Sequence, residues 1–292
     1  MASTQSDFLT FRTFDTARTI RNILLMKPTI SKHLQTSLVL GPRAIIEAIR
    51  AGKDIDKVLI DRAAKGDLRR ELLSLVREQQ IAYSQVPVAK LTRLTNQKHQ
   101  GAIARLASIG WASISHVVQA SYEQGRTPLV LILDNVTDVR NLGAIVRTAA
   151  CAGVDAIVIP TQGSASVGDD AMKTSAGALA HVPICRVANL LDTIAYLQAS
   201  GLQVMAFHDK AATSLYQTEL HVPLAIVVGS EEKGIRAELL QSADKQISIP
   251  MVGAMGSLNV SVAVAVALYE SFRQRQGQLH GSGGDGAAWL VG

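Results

Sequence analysis

From Pro128 onward the chain alternates short, wholly apolar runs with helical periods, and that alternation leaves few folds open to it. Pro128-Leu-Val-Leu-Ile-Leu133 has no polar face, so a strand made of it must be covered on both sides. The pattern then predicts a helix over Leu142 to Ala152, a strand over Ala156 to Pro160, a helix over Asp170 to Ala180 and a strand over Val182 to Val187. It continues with a helix from Leu190 to Ala199 and strands from Gln203 to Phe207 and Leu224 to Gly229. A helix from Ile235 to Ala243, a strand from Gln246 to Pro250 and a last helix from Asn259 to Arg275 complete it. Such alternation predicts an α/β domain with a parallel sheet and helices on both faces, over residues 127–276. The Gly-rich stretch over 277–292 reads as a flexible tail.

Ahead of this lies a smaller α/β domain, residues 36–108. Its expected elements are a helix over Ala44 to Arg50, a strand at Val58 to Ile60, a helix over Leu68 to Gln80, an extended stretch at Tyr83 to Val88, a helical stretch over Lys90 to Thr95 and a closing strand at Gly101 to Leu106. Residues 109–126 read as a linker with some helix in it, and residues 1–35 as a polar extension of no clear period.

Charge divides along the same line. Through Arg105 there are 18 Lys and Arg against 9 Asp and Glu, a net +9; the remainder has 11 against 15, a net −4. A basic front and a mildly acidic back predict that the front grips an anion. Half the chain is apolar, which excludes a disordered protein. Cys151 and Cys185 make no C-x-x-C pair, and no apolar run reaches the roughly 18 residues of a membrane span. The expectation is a cytoplasmic protein that does not enter a membrane.

Ligands of open parallel sheets sit in loops at the carboxyl ends of strands. Three such loops have unusual composition: Asp134 to Gly143, leading into a helix that bears Arg147; Gly229-Ser-Glu-Glu-Lys-Gly234; and Pro250 to Asn259. The second has phosphate-loop spacing, but Ile235 and Arg236 stand where Lys and Ser/Thr are needed. Gly281 to Gly286 matches a dinucleotide fingerprint only by chance, since it follows a helix. The seven histidines show no metal-ligand spacing and no G-x-S-x-G elbow is present, so neither a metal site nor a hydrolase is expected.

Taken together, the loops resemble the three motifs of the SpoU/TrmH family of RNA ribose 2′-O-methyltransferases. Asn141, Gly143 and Arg147 match Asn-x-Gly-x-x-x-Arg; Ile-Val-Val-Gly229-Ser-Glu-Glu-Lys-Gly matches the second motif; Ile-Ser-Ile-Pro-Met251 through Gly-Ser257-Leu-Asn259-Val-Ser-Val-Ala matches the third. The front domain, with Gly41-Pro-Arg-Ala and His99-Gln-Gly-Ala-Ile-Ala, resembles the family's RNA-binding substrate domain, and most of all its RlmB-like branch. Arg140 departs from the pattern, where many relatives carry His.

The resemblance implies a deep trefoil knot in the second domain, bound S-adenosylmethionine, no metal, a homodimer, and RNA as partner. It places Gly229, Ile249, Leu258, Met251 and Ser257 at the cofactor, with Gly253 and Gly256 allowing tight turns. It makes Arg147 the catalytic arginine. A guanidinium keeps its proton at ordinary pH, so its role is to bind the adjacent phosphate and stabilise the developing alkoxide. Asn141, a helix cap by its residue type alone, would orient Arg147 and the phosphate. Ser257 and Asn259, capping types too, would lie beside the methyl donor and the attacking hydroxyl. Glu231 would hold the second loop or pair with Arg147. The implied reaction is 2′-O-methylation of a ribose, a guanosine of large-subunit ribosomal RNA by this branch. A transfer-RNA methyltransferase and a non-catalytic RNA-binding protein are the alternatives; the presence of Arg147, Ser257 and Asn259 together favours the enzyme.

Overall fold

The computed structural model describes residues 38–253 and 256–280, so the expected extension over 1–35 and the tail beyond 280 lie outside the described residues. The front part is built from β1 (Leu38–Leu40), α1 (Pro42–Arg50), β2 (Ile55–Asp61), α2 (Asp67–Glu78), β3 (Tyr83–Val86), α3 (Val88–Thr92) and β4 (Ala102–Leu106). The sheet runs β1-β4-β2-β3, with β4 antiparallel to both neighbours and β2 parallel to β3. Alternate residues of a strand face opposite sides. Val58 and Ile60 therefore meet Ile45, Ile46, Leu72 and Val76 of the two long helices, while Leu59 meets Leu91 and Ile103 on the other face.

The stretch expected as a linker contains a full ten-residue helix, α4 (Ile114–Glu123), whose Val118 packs into the second domain's core. Beyond it come β5 (Leu129–Asp134), α5 (Val139–Ala152), β6 (Ala156–Pro160), α6 (Asp169–Thr174), β7 (Ile184–Val187), α7 (Leu190–Ala199), β8 (Gln203–Phe207), β9 (Thr213–Ser214), β10 (Leu224–Gly229), α8 (Ala237–Ser242), β11 (Lys245–Ser248) and α9 (Val260–His280). Seven strands form one wholly parallel sheet, ordered β7-β6-β5-β10-β8-β11-β9. All six residues of β5 are buried. Leu129, Leu131 and Leu133 enter one core; Val130 and Ile132 enter the other. Helices cover both faces, as the uninterrupted apolar run requires. From β5 the chain moves outward through β6 and β7, then returns to place β10 at the other side of β5. The crevice at this switch point is where such sheets take ligands.

Two expected helix ends are corrected. The helix expected through Ala180 stops at Thr174, because Ala176 and Gly177 adopt left-handed φ of 50° and 85°; a short 3₁₀ turn, Ala178–Ala180, follows. The last helix continues past Arg275 and through Gly277 to His280, so residues 277–280 belong to it rather than to a tail. Its end is held by side chains: Arg275 donates to the carbonyls of Thr127 (2.6 Å) and Val222 (2.8 Å), and Gln274 to that of Thr218 (2.9 Å). The two-residue β9 is too short to have left a periodic signal.

Candidate active site

α5 begins at Val139, earlier than its apolar period predicts, because Asp138 caps it. Its carboxylate accepts the backbone N–H groups of Arg140 (2.7 Å) and Asn141 (3.2 Å). The Arg140 guanidinium also donates to Asp138. These bonds, that from the guanidinium first, hold the carboxyl below the usual carboxylate range and raise the Arg140 pKa. Asn141 is thus inside the first turn, not the cap. Gly143 lies under α6: a Cβ there would stand 2.1 Å from Thr174 Oγ1, so only glycine lets the two helices meet. Arg147, one turn on, is exposed and makes no hydrogen bond or ion pair with the described residues.

The three loops converge on Glu231. Its Oε1 accepts from Asn141 Nδ2 (3.2 Å), from Asn259 Nδ2 and from the Val260 backbone N–H (3.2 Å). Asn259 Nδ2 also donates to Asn141 Oδ1 (3.1 Å). Glu231 thus ties loop two to loops one and three and makes no ion pair with Arg147. Asn141 likewise bonds Glu231 and Asn259 rather than Arg147. Asn259 does cap α9, its Oδ1 accepting from Ser261 N (2.9 Å) and Ser261 Oγ (2.6 Å). Ser257 is exposed and caps nothing.

Beside this junction is a cavity of about 550 Å³, walled by Val228, Ile249, Met251 and Leu258, with Gly229 and Ser257 at its surface. All five residues expected at the cofactor line it. Arg147, Asn141 and Asn259 stand outside it, while Glu231 belongs to both. Gly229 has a clear steric reason: the chain folds back so closely that a Cβ would be 2.0 Å from the carbonyl carbon of Gly234. Around Gly253 and Gly256, by contrast, nothing crowds the position of a Cβ.

Asp134, at the end of β5, carries a role that sequence reasoning missed. Its buried carboxylate accepts from Arg236 Nε (2.9 Å), Arg236 N (2.9 Å) and Asn135 Nδ2 (3.1 Å), pinning loop two to the strand end of loop one. The signal was a carboxylate closing an apolar strand, opposite an arginine in the neighbouring loop. Among the described residues no cluster of three or more His, Cys, Asp or Glu is placed to hold a metal. No helix there is long and apolar enough to cross a membrane.

Comparison with known proteins bears on family and fold. The SpoU rRNA methylase family matches residues 128–269, and the RNA 2′-O ribose methyltransferase substrate-binding family matches 38–109. A Staphylococcus aureus (strain MSSA476) protein named for the TrmH family of tRNA/rRNA methyltransferases is 38% identical over 242 residues, covering 83% of this chain and 98% of its own. A Staphylococcus saprophyticus relative of the same name is 36% identical, with 83% and 97% covered. In fold, the chain is similar to the SpoU methyltransferase AviRb of Streptomyces viridochromogenes in complex with AdoMet (TM-score 0.52, 23% identity, 82% of this chain and 90% of that one). An AdoMet-bound rRNA methyltransferase of Sinorhizobium meliloti is comparable (0.51, 22%, 81% and 86%). With the motif loops meeting at one carboxylate and the relatives aligned almost end to end, the chain belongs to the SpoU/TrmH family of RNA methyltransferases and carries that family's substrate-binding domain in front.

Proposed function

We propose that this protein methylates the ribose 2′-oxygen of a folded RNA with S-adenosylmethionine as donor, and that the RNA is large-subunit ribosomal RNA, modified at a guanosine. The observation that carries the reading is the Glu231 junction: one carboxylate oxygen gathers Asn141, Asn259 and the start of α9 beside an apolar-walled cavity. The residues present fit the donor. The cavity is within the usual range for ligand sites, its walls at Ile249, Met251 and Leu258 suit a flat heterocycle, and the Gly229 turn offers backbone rather than side chain.

S-adenosylmethionine, when bound, supplies an already activated methyl on sulfonium. The chain's task is then alignment and help with one proton. Arg147, with no partner among the described residues, is available to take the phosphate next to the target ribose and to stabilise the alkoxide as it forms. Ser257, exposed and uncommitted at the cavity, is available to the hydroxyl. Asn141 and Asn259 fix the junction that sets both. The proton leaves to phosphate or water.

The reading includes a cytoplasmic homodimer and the knotted crossing. Exposed Val262 and Tyr269, seven residues apart on one face of α9, support a second copy there. The return of β10 between β5 and β8, with α9 back across α5, supports the knot. The relatives are named as tRNA/rRNA methyltransferases, so transfer RNA is the second reading.

The test is transfer of labelled methyl to unmodified ribosomal RNA and, separately, to transfer RNA, with Arg147→Ala as control. Label recovered from ribosomal RNA as a 2′-O-methylguanosine, and lost in the variant, supports the proposal. Label in transfer RNA alone moves it to the second reading. Failure of the protein to bind S-adenosylmethionine overturns it.

A further inference from the structure

The carboxyl ends of β5, β6 and β7 border a second cleft, on the same edge of the parallel sheet as the motif loops. Its volume is about 190 Å³, and it shares no residue with the cofactor cavity, which lies at the ends of β8, β10 and β11. Sites for whole small molecules start at roughly 300 Å³, so this one has room for part of a ligand. Pro160 and Leu190, both buried, supply its apolar lining; Asn135, Gln162, Asn189 and Arg236 supply the polar groups.

The walls are fixed by the fold. Thr161 ties down the loop after β6, its N–H and its hydroxyl both donating to the Val187 carbonyl (2.8 and 3.1 Å). Ala165 N donates to Val136 O (2.8 Å) from the far end of that loop. Gly163, at φ 80°, brings the loop against Asn135, where a Cβ would stand 2.8 Å from Asn135 Oδ1. Asn135 itself holds a left-handed φ of 57°, which asparagine tolerates better than most residues.

The polar groups are only partly used by that fold. Asn135 donates its amide to Asp134 (3.1 Å), which leaves its oxygen. Asn189 caps α7 with its oxygen, accepting from Leu191 N (2.9 Å), which leaves its NH2. Arg236 places Nε on Asp134 and Nη1 on Glu238, which leaves Nη2. Gln162 is exposed and bonds nothing among the described residues. Because two carboxylates already match Arg236, no net positive charge awaits a phosphate. The set suits a neutral ring whose edge carries donors and acceptors together, the kind that amides and guanidinium read by paired hydrogen bonds.

We infer, resting on the function proposed above, that this cleft reads the base of a nucleotide beside the methylated one, with Asn135, Gln162, Asn189 and Arg236 as its specificity-determining residues. From β6, at the middle of the cleft, to β8, in the cofactor cavity, is three strand spacings, about 14 Å. That is too far for the base of the ribose under attack, and it fits an unstacked neighbour in the same strand.

The test uses the full chain and the RNA that accepts methyl, with base changes and abasic sites placed singly at the nucleotides flanking the target ribose. For the parent, changes at one flanking position are expected to lower kcat/KM by about 10- to 100-fold, as the loss of paired bonds to one base does. Gln162→Ala with Asn135→Gly removes both side chains, and glycine keeps the left-handed backbone. In this double variant the discrimination is expected to shrink about tenfold while S-adenosylmethionine binds as in the parent. Gln241→Ala, at an exposed amide on α8, leaves the discrimination whole. Should the double variant fail to bind S-adenosylmethionine, Gln162→Ala alone carries the same expectation at smaller size. A parent indifferent to every flanking change overturns the inference, and so does a variant that discriminates as the parent does. A variant slowed by one factor on every RNA overturns it too, since a merely structural role has that effect. All three outcomes leave the proposed function standing. A parent that transfers methyl to no RNA overturns that function and this inference with it.

Discussion

Arg186 of β7 stands 3.6 Å from Asp56 of β2, and both side chains are nearly fully buried, at 9% and 2% exposure. The pair lies across the joint between the two sheets. The Arg186 guanidinium also donates to the carbonyls of Ile55 (3.0 Å) and Asp56 (2.6 Å), and lies 4.4 Å over the Trp111 ring. Asp56 in turn accepts from Ser166 Oγ and from Val167 N (3.2 Å), in the loop after β6. Burial pulls the Arg186 pKa down while Asp56 opposes it. A charge pair out of water is favourable only when its remaining donors and acceptors are met, and here most are. The front domain is therefore fixed at the carboxyl end of the parallel sheet, where the motif loops also lie.

Breaking that pair is expected to be costly. Asp56→Ala leaves a buried guanidinium, the Ser166 hydroxyl and the Val167 N–H without their acceptor, and the loss is expected to be about 3 kcal/mol in urea unfolding. Asp56→Asn keeps an acceptor and loses less. A change below about 1 kcal/mol for the alanine variant would show that the joint is not closed by this pair.

Gly229 tests the cavity directly. Alanine there drives a methyl into the backbone of Gly234, so loop two must move. Gly229→Ala is expected to lose S-adenosylmethionine binding by calorimetry and to cost about 1–3 kcal/mol of stability. Binding at parental affinity would sink the assignment of this turn to the donor.

What the sequence made legible follows from periodicity. β6, α7, β8 and β10 occupy the residues their patterns predict, because each is bounded by turn residues and buried as a unit. The motif loops were legible as composition, and resemblance supplied their joint meaning. What escaped was pairing at a distance. Nothing near Asp56 announces Arg186, 130 residues on, and nothing near Asp134 announces Arg236; each pair exists only once the sheets have formed. The Glu231 junction escaped for the same reason, since its partners lie 90 and 28 residues away. The early start of α5 came down to Asp138, a capping type that sits outside the apolar period.

The two cysteines should differ sharply. Cys185 is buried in the core beside β6, and burial pushes its thiol up to about 12, whereas Cys151 is exposed. The thiolate is the reactive form. A disulfide reagent at neutral pH is expected to titrate one thiol in the native protein and two in denaturant, and Cys151→Ser should abolish the native reaction. Two rapid native equivalents would contradict the packing of β7.

Acid should loosen the start of α5 before the fold is lost. The Asp138 carboxyl lies below its ordinary value, held there first by the Arg140 side chain and then by backbone N–H groups. A carboxylate depressed in the folded state contributes stability that is complete above its unfolded pKa, near 3.9, and lost as pH falls through the folded value. Amide exchange at Arg140 and Asn141 is expected to speed up only below about pH 4. Asp138→Asn, which still caps but does not titrate, should remove that dependence. If the variant and the parent lost protection together, the cap would not be the titrating group.

Glu231 separates a positioning role from a charge role. Alanine at this position strands the Asn141 and Asn259 amides and the Val260 N–H at once, so loops one and three lose their common acceptor. Misplacement of aligned groups by about 1 Å is enough to cost around 100-fold in rate, and Glu231→Ala is expected to lose kcat on that order. Glutamine keeps an acceptor oxygen for the same three donors while removing the charge. If Glu231 works by holding the loops, Glu231→Gln retains most of kcat. S-adenosylmethionine affinity should fall in the alanine variant and hold in the glutamine one. Equal losses of kcat in the two variants, with cofactor binding unchanged in both, would mean that the carboxylate's charge acts on the reaction itself and that the junction is not its main purpose.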